Sequence, residues 1–320
     1  MQEMTFDDLL VRARQEIWQA NNILVTAHLR PDGDAIGSLL GLGLALEKAG
    51  KNVQMVLADG APESLNFLEG FEKITKQWVD EVDLAIVLDS SDLSRIGLSL
   101  QDYGAPDINI DHHITNLNFA RLNLVDPQAT ATAEILAANL PALGLELIPA
   151  VMNALMVGIL TDTLGFRTNN LRPGTFHVVA SLMEQGVNLP ELYQRVFTHH
   201  SVNALRYWGA GLSGLHFDGR LAWVTLTLED RKRAGYSGRD DADIINLLSA
   251  MRGADVALVF VEQVGGSVKI SWRAQNGYDV SQLALQYGGG GHRAAAGAEI
   301  KGSLSEVQEV IVKATRKLLP

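Results

Sequence analysis

Apolar and polar positions follow two different rhythms along this chain. Asn22 to Ala27 and Val53 to Ala58 are short β-rich runs. Val82 to Leu88 (VDLAIVL) is a nearly continuous apolar run, as in a strand buried on both faces, and Ile108 to Ile110 is a shorter one. Ala35 to Ala49 has a helical pattern stopped by Gly50, the place of a C′ glycine, and Thr132 to Leu140 and Pro149 to Leu160 also read as helices. Strands alternating with helices predict an α/β domain whose mainly parallel sheet is flanked by helices.

The rhythm changes after about residue 185. Asn188 to Leu215 is mostly helical and lacks strand runs, as a connector would. Beyond it the pattern predicts strands at Leu221–Leu228, Val256–Gln263 and Ser267–Arg273, the last two joined around Gly265-Gly266 as a hairpin. Helices at Ala242–Met251, Val280–Gln286 and Ser303–Leu318 and a short strand near Ala298–Ile300 complete a smaller α+β domain. The expected organisation is a first domain at 1–187, a helical linker at 188–215 and a second domain at 216–320.

Composition narrows the picture. Of 320 residues, 47% are hydrophobic, enough for a proper core, and none is cysteine. Disulfides, thiolate metal sites, iron–sulfur clusters and a cysteine nucleophile are thereby excluded. The net charge of −11 argues against a grip on long nucleic acid, which needs a basic face. The densest basic run, Arg231-Lys232-Arg233, reads as a solvated turn. A small anionic substrate stays open, because bound metal ions can invert local charge. Met1 to Val11 carries acids and no apolar core, and the apolar stretches fall short of the ~20 residues of a membrane span, so a cytoplasmic protein without a signal peptide or membrane partner is expected.

The chemistry gathers at element ends, where open α/β sheets place functional groups. His28, Asp32 and Asp34 share one loop between a strand and a helix, turned by Pro31 and Gly33. Asp89 ends the apolar strand, Asp111-His112-His113 follows Ile110, and Asp162 ends an apolar helix. Ordinary readings compete at each place: Asp34 as the cap of the next helix, Asp89 as part of a capping group with Ser90, Ser91 and Asp92, Asp162 as a loop acid. Together, however, the acids would repel one another unless cations neutralised them, and oxygen and nitrogen donors without sulfur suit Mn²⁺, Mg²⁺ or Fe²⁺. In the second domain, Gly288-Gly289-Gly290-Gly291-His292-Arg293 reads as a phosphate-binding loop, with backbone N–H groups open to an anion. Other candidates are ordinary. Gly41-Leu42-Gly43 reads as close helix packing, His199-His200 as a connector surface, and Trp208, Trp223 and Trp272 as core.

These motifs, in this order, resemble the DHH phosphoesterase superfamily over roughly residues 20 to 315. The match rests on His28-x-x-x-Asp32-x-Asp34, on Asp89 in VLDSSD, on Asp111-His112-His113 and on Asp162 in GILTDTLGF, with the GGGH signature of a DHH-associated substrate domain at 289–292. Size and C-terminal features point to the branch of bifunctional oligoribonuclease and PAP phosphatase proteins. The resemblance implies two divalent ions, Mn²⁺ first among the choices and Mg²⁺ or Fe²⁺ after it. His28 and Asp32 would hold one, Asp34, His112 and Asp162 the other, and Asp89 would bridge them. His113 would face the reacting phosphate, with Asp111 behind it, and Arg273 would contact phosphate. Where the family often has serine next, this chain has Ala274.

The implied reaction is hydrolysis of short RNA, dinucleotides or small nucleotides in a cleft between the domains, with 3′-phosphoadenosine 5′-phosphate to AMP as a second activity. Long nucleic acid is not an expected partner, and a homodimer is an open option. A cyclic-dinucleotide phosphodiesterase is the alternative within the enzyme class. A nucleotide sensor without turnover would be expected to have lost a ligand, and none of the six is missing.

Overall fold

The computed structural model describes residues 4–79, 81–97, 100, 103–198, 200–275 and 277–319. The chain divides into two compact units, Met1–His199 and His200–Pro320.

The first unit opens on α1 (Phe6–Gln19), started by a Thr5–Asp8 capping box. Then come β1 (Asn22–Ala27), α2 (Gly33–Lys48), β2 (Asn52–Val56), β3 (Leu84–Leu88), β4 (Ile108–Asp111) and β5 (Leu122–Val125). Helices α3 (Thr132–Asn139), α4 (Pro149–Asp162), α5 (Pro173–Glu184) and α6 (Leu189–Phe197) follow. The strands form a wholly parallel sheet of order β2-β1-β3-β4-β5 among the described residues. Every residue of β3 is buried, as its unbroken apolar run requires. The α/β reading therefore holds, while α1, α5 and β5 are elements the apolar rhythm did not announce.

Register decides where the chemistry goes. Ala27 pairs with Leu88, and Leu88 with Ile110. The next residues along β1 and β3, His28 and Asp89, therefore leave the sheet beside Asp111, the last residue of β4, which still pairs with Val125. The chain runs from β1 out to β2 and returns to β3 on the other flank of β1, which makes the end of β1 a switch point of the sheet.

Helices α2 and α4 pack backbone against backbone. A β-carbon at Gly37 would lie 2.5 Å from the Ala154 carbonyl oxygen and 2.8 Å from the Gly158 nitrogen. One at Gly41 would lie 2.5 Å from Leu155, so the Gly41-Leu42-Gly43 stretch is close packing, as its pattern suggests. This contact brings the first turn of α2 to the last turn of α4.

The second unit contains α7 (Val202–Ser213), β6 (His216–Asp218), β7 (Leu221–Leu226), α8 (Leu228–Ala234), α9 (Ile244–Ser249), β8 (Val256–Gln263), β9 (Ser267–Ala274), α10 (Ser281–Gln286), β10 (Gly290–His292), β11 (Ala295–Lys301) and α11 (Leu304–Arg316). Its sheet, of order β10-β11-β9-β8-β7-β6 among the described residues, is antiparallel except for β7 and β8. One expectation needs correction. Arg231-Lys232-Arg233 is not a turn; it forms the last turn of α8, where cations oppose the negative helix end. The stretch 188–215 holds two helices: α6 packs on α4, and α7 packs on α8 and β7. Trp272 is fully buried and donates to Thr315, and Trp223 is buried too, as core tryptophans. His199 lies outside the described residues; the His200 ring rests 4.4 Å from Trp208. Among the described residues no helix is long and apolar enough to cross a membrane.

Replacing Gly37 with alanine should cost about 1–3 kcal/mol of stability by overpacking, despite the better helix propensity of alanine. Urea denaturation measures this, and a variant of wild-type stability would contradict the close α2–α4 contact.

Candidate metal centre

Each functional side chain of the first unit is aimed by its own element. At the end of β1 the His28 Nδ1 donates to the Leu29 carbonyl at 2.8 Å, which turns Nε2 to face Asp89 Oδ2 at 3.4 Å and Asp32 Oδ1 at 3.8 Å. His112 is held in the same way. Its Nδ1 points at the Ala129 carbonyl at 3.4 Å, and its Nε2 lies 3.6 Å from both Asp89 Oδ1 and Asp162 Oδ2. A backbone acceptor behind one ring nitrogen fixes the tautomer and leaves the other nitrogen as a ligand. His113 differs: its Nδ1 is 2.7 Å from Asp111 Oδ1, a carboxylate that is wholly buried and also takes the Asn116 amide.

The acids divide the work of capping and facing the centre. Asp32, not Asp34, caps α2, accepting from the N–H groups of Asp34 and Ala35, each at 3.1 Å. Asp34 is 1% exposed, and its carboxylate runs to a different helix. Oδ2 accepts from Thr132 N at 2.7 Å and Oδ1 from Ala133 N at 2.9 Å, at the start of α3. Asp89 sits at φ +51°, a left-handed conformation unusual outside glycine, directly after β3. The short turn beyond it is capped by Asp92, which accepts from Ser94 N at 2.8 Å, so Asp89 is not its cap. Asp162 is the last residue of α4.

Ligand atoms of three groups lie within 4.8 Å of one another: His28, Asp32 and Asp89; Asp34, His112 and Asp162; and Asp89, His112 and His113. Asp89 turns one oxygen to His28 and the other to His112 and His113. Asp111 belongs to none of these groups.

The charges show what such a centre lacks. Burial first, then the neighbouring Asp89, Asp162 and Asp32 carboxylates, push Asp34 well above the usual carboxylate range. Burial and the like charges of Asp89 and Asp32 outweigh His112 and raise Asp162 to about 7. Burial opposes a charge on His28, but Asp32 and Asp89 outweigh it and raise the imidazole to about 10. At His113 burial likewise pulls down, and the Asp111 hydrogen bond leads a net upward shift. These acids resist ionising together, the condition that bound cations relieve. The oxygen and nitrogen donors fit hard or borderline divalent ions.

Thr132, Ala133 and Asn116 belong to this neighbourhood although no sequence motif singled them out. The start of a helix at Thr132 was legible, but not that its N–H groups would meet Asp34, 98 residues away for Thr132.

In the second unit the glycine run is partly structural. The N–H groups of Gly288 and Gly289 bond the Leu285 and Ala284 carbonyls at the end of α10, so those two are not open to an anion. Gly291, at φ +141°, runs so close to β11 that a β-carbon would lie 2.5 Å from the Ala295 oxygen. Arg293 is tied to the Gly277 carbonyl at 2.6 Å and 3.1 Å. Arg273 is half-buried, donates to the Trp272 carbonyl at 3.2 Å, and pairs in register with Ala295, whose other neighbour is His292. The His292 side chain lies outside the described residues.

Residues 22–159 match the model of the DHH family N-terminal domain, and residues 222–319 match that of the DHHA1 domain. The bifunctional oligoribonuclease and PAP phosphatase NrnA of Thermus thermophilus is 37% identical over 93% of this chain and 90% of its own. The protein of the same name from Mycoplasma genitalium is 26% identical over 97% and 98%. The crystal structure of an exopolyphosphatase-related protein from Bacteroides fragilis, 25% identical, superposes with a TM-score of 0.87 over 97% of each chain. With both domain models matched in order and that Thermus relative alike along nearly its whole length, this chain belongs to the DHH family.

Proposed function

We propose that this protein is a divalent-metal-dependent phosphoesterase that hydrolyses dinucleotides and short oligoribonucleotides to mononucleotides, and 3′-phosphoadenosine 5′-phosphate to AMP. The observation that carries the metal-dependent part is Asp89, whose two oxygens face two different ligand groups. The substrate class is supported by the activities named for the relatives in Thermus and Mycoplasma. The net charge of −11 agrees with small substrates rather than long strands.

In this reading two ions, Mn²⁺ for preference, would be held by His28, Asp32 and Asp89 and by Asp34, His112 and Asp162 with Asp89. Such ions supply Lewis acidity, neutralising charge on the phosphoryl oxygens and easing deprotonation of the attacking water. The chain's own residues do the rest. Asp111 holds the His113 ring by Nδ1 and favours its protonated form, so that the second ring nitrogen carries a proton for a phosphoryl oxygen or the leaving group. In the second unit, Arg273 and the strand at Gly290–His292 are the candidates for binding a phosphate.

Asp89→Ala should reduce cleavage of a dinucleotide to background, and near-normal activity in that variant would sink the mechanism. His113→Ala should lower kcat by about 10²–10⁴-fold while Mn²⁺ binding, followed by calorimetry, stays near wild type. Product analysis with a dinucleotide, short RNA, 3′-phosphoadenosine 5′-phosphate and a cyclic dinucleotide, each with Mn²⁺ and Mg²⁺, tests the substrates. Turnover is expected for the first three, and inertness towards all four would refute the substrate class.

The raised acids also set a pH dependence. An Asp162 carboxyl at about 7, against about 4 in the unfolded chain, stabilises the metal-free fold at low pH, and that contribution is lost as pH rises through about 7. His28 acts in the same direction higher up. The melting temperature of the metal-free protein should therefore fall between about pH 5 and pH 7.5. Added Mn²⁺ should restore more at the upper end, with protons released on binding. Calorimetry in buffers of different ionisation enthalpy reads the proton release, and its absence near neutral pH would contradict the crowding of the acids.

A further inference from the structure

Carboxylates that repel one another need something to hold them in register before any ion arrives. Thr132 touches two of them at once. Its hydroxyl donates to Asp89 Oδ1 at 3.1 Å, and its backbone N–H donates to Asp34 Oδ2 at 2.7 Å. The side chain is completely buried, at the first position of α3. The Asp89 oxygen it binds is the one turned to His112, and the other oxygen stays turned to His28.

The segment carrying Thr132 is anchored from behind. Glu134 occupies the place where a capping-box acid would reach back to a Ser or Thr cap, but the cap here is Ala131. Glu134 reaches one residue further: Oε2 accepts from Thr130 N at 2.9 Å, from the Thr130 hydroxyl at 2.6 Å and from the Thr175 hydroxyl at 3.0 Å. Oε1 accepts from Arg172 at 3.0 Å and 3.2 Å, and Arg172 also meets Asp126 at 3.2 Å. A carboxylate 2% exposed is costly unless paired and fully bonded, and this one is both. The knot touches none of the candidate ligands; what it fixes is the turn at 130–133.

We infer that Thr132, braced by the Glu134–Arg172 knot, is a positioning residue of the metal centre. Its hydroxyl fixes the Asp89 carboxylate with one oxygen towards each ligand group, and the α3 N-terminus holds Asp34 beside it. Outer partners of metal ligands act in this manner, by orienting the donor rather than by touching the ion. The inference rests on the metal-centre reading proposed above.

The test titrates metal-free protein with Mn²⁺ by calorimetry for the wild type, Thr132→Val and Thr132→Ser, and measures the melting temperature of each metal-free form. Valine keeps the shape and removes the hydroxyl, whereas serine keeps the hydroxyl. Thr132→Val should weaken Mn²⁺ binding by about 10–100-fold, and Thr132→Ser should stay within about threefold of wild type. The metal-free melting temperature of the valine variant should remain close to that of the wild type. Wild-type affinity in the valine variant would overturn the inference and leave the metal centre standing. Equal weakening in both variants, or weakening matched by a drop in metal-free melting, would overturn it as well. No Mn²⁺ binding by the wild type would instead overturn the reading of the centre itself.

Discussion

The close approach of α2 and α4 is the contact on which the first unit depends. At Gly37 there is no room for a side chain between the two backbones, and at Gly158 a β-carbon would lie 2.5 Å from Ala133 of α3 and 2.9 Å from the Asp34 carboxylate. That contact sets Asp34, in the first turn of α2, beside Asp162, at the last turn of α4. It also presses α2 towards the start of α3, where two backbone N–H groups take the Asp34 carboxylate. Glycine here is a matter of space rather than of backbone freedom, and apolar burial on the other faces of both helices supplies the energy that holds them together.

What this packing assembles is unfavourable in isolation. Asp34 and Asp162 are both pushed towards their protonated forms by burial and by the neighbouring Asp89 and Asp32 carboxylates. Stability and function are therefore in tension: the arrangement that strains the metal-free fold is the one that offers divalent ions a ready set of oxygen and nitrogen donors. The same logic reconciles an acidic protein with a phosphate-bearing substrate, since bound ions reverse the sign of the local field. The peripheral groups serve the same end. Backbone carbonyls behind His28 and His112 and the Thr132 hydroxyl on Asp89 each hold a candidate donor in place, and the Asn116 amide holds Asp111 behind His113.

Much of this was legible along the chain because apolar runs end abruptly on polar chemistry. A strand buried on both faces of a parallel sheet is mostly apolar, so the acid or histidine at its end stands out: His28 after Ala27, Asp89 after Leu88, Asp111 as the last residue of β4. Elements without that contrast were missed. β5 has only four residues, and β6, exposed at every position, lies at the edge of its sheet. The glycine run at 288–291 was legible as unusual, but its cause was not. Half of it closes α10 and lets β10 lie against β11, which depends on a strand several residues further on.

The sequence by itself determined the alternation of strands and helices, the residue types at each strand end and the family to which their order belongs. Those are local properties, written in the polarity of neighbouring residues. Which acid caps α2, which helix receives Asp34, and that Thr132 and Glu134 stand behind the centre were decided only by the tertiary structure. Each depends on a pairing between residues far apart in the chain, and a hydrogen bond across that distance leaves no periodicity for the sequence to display.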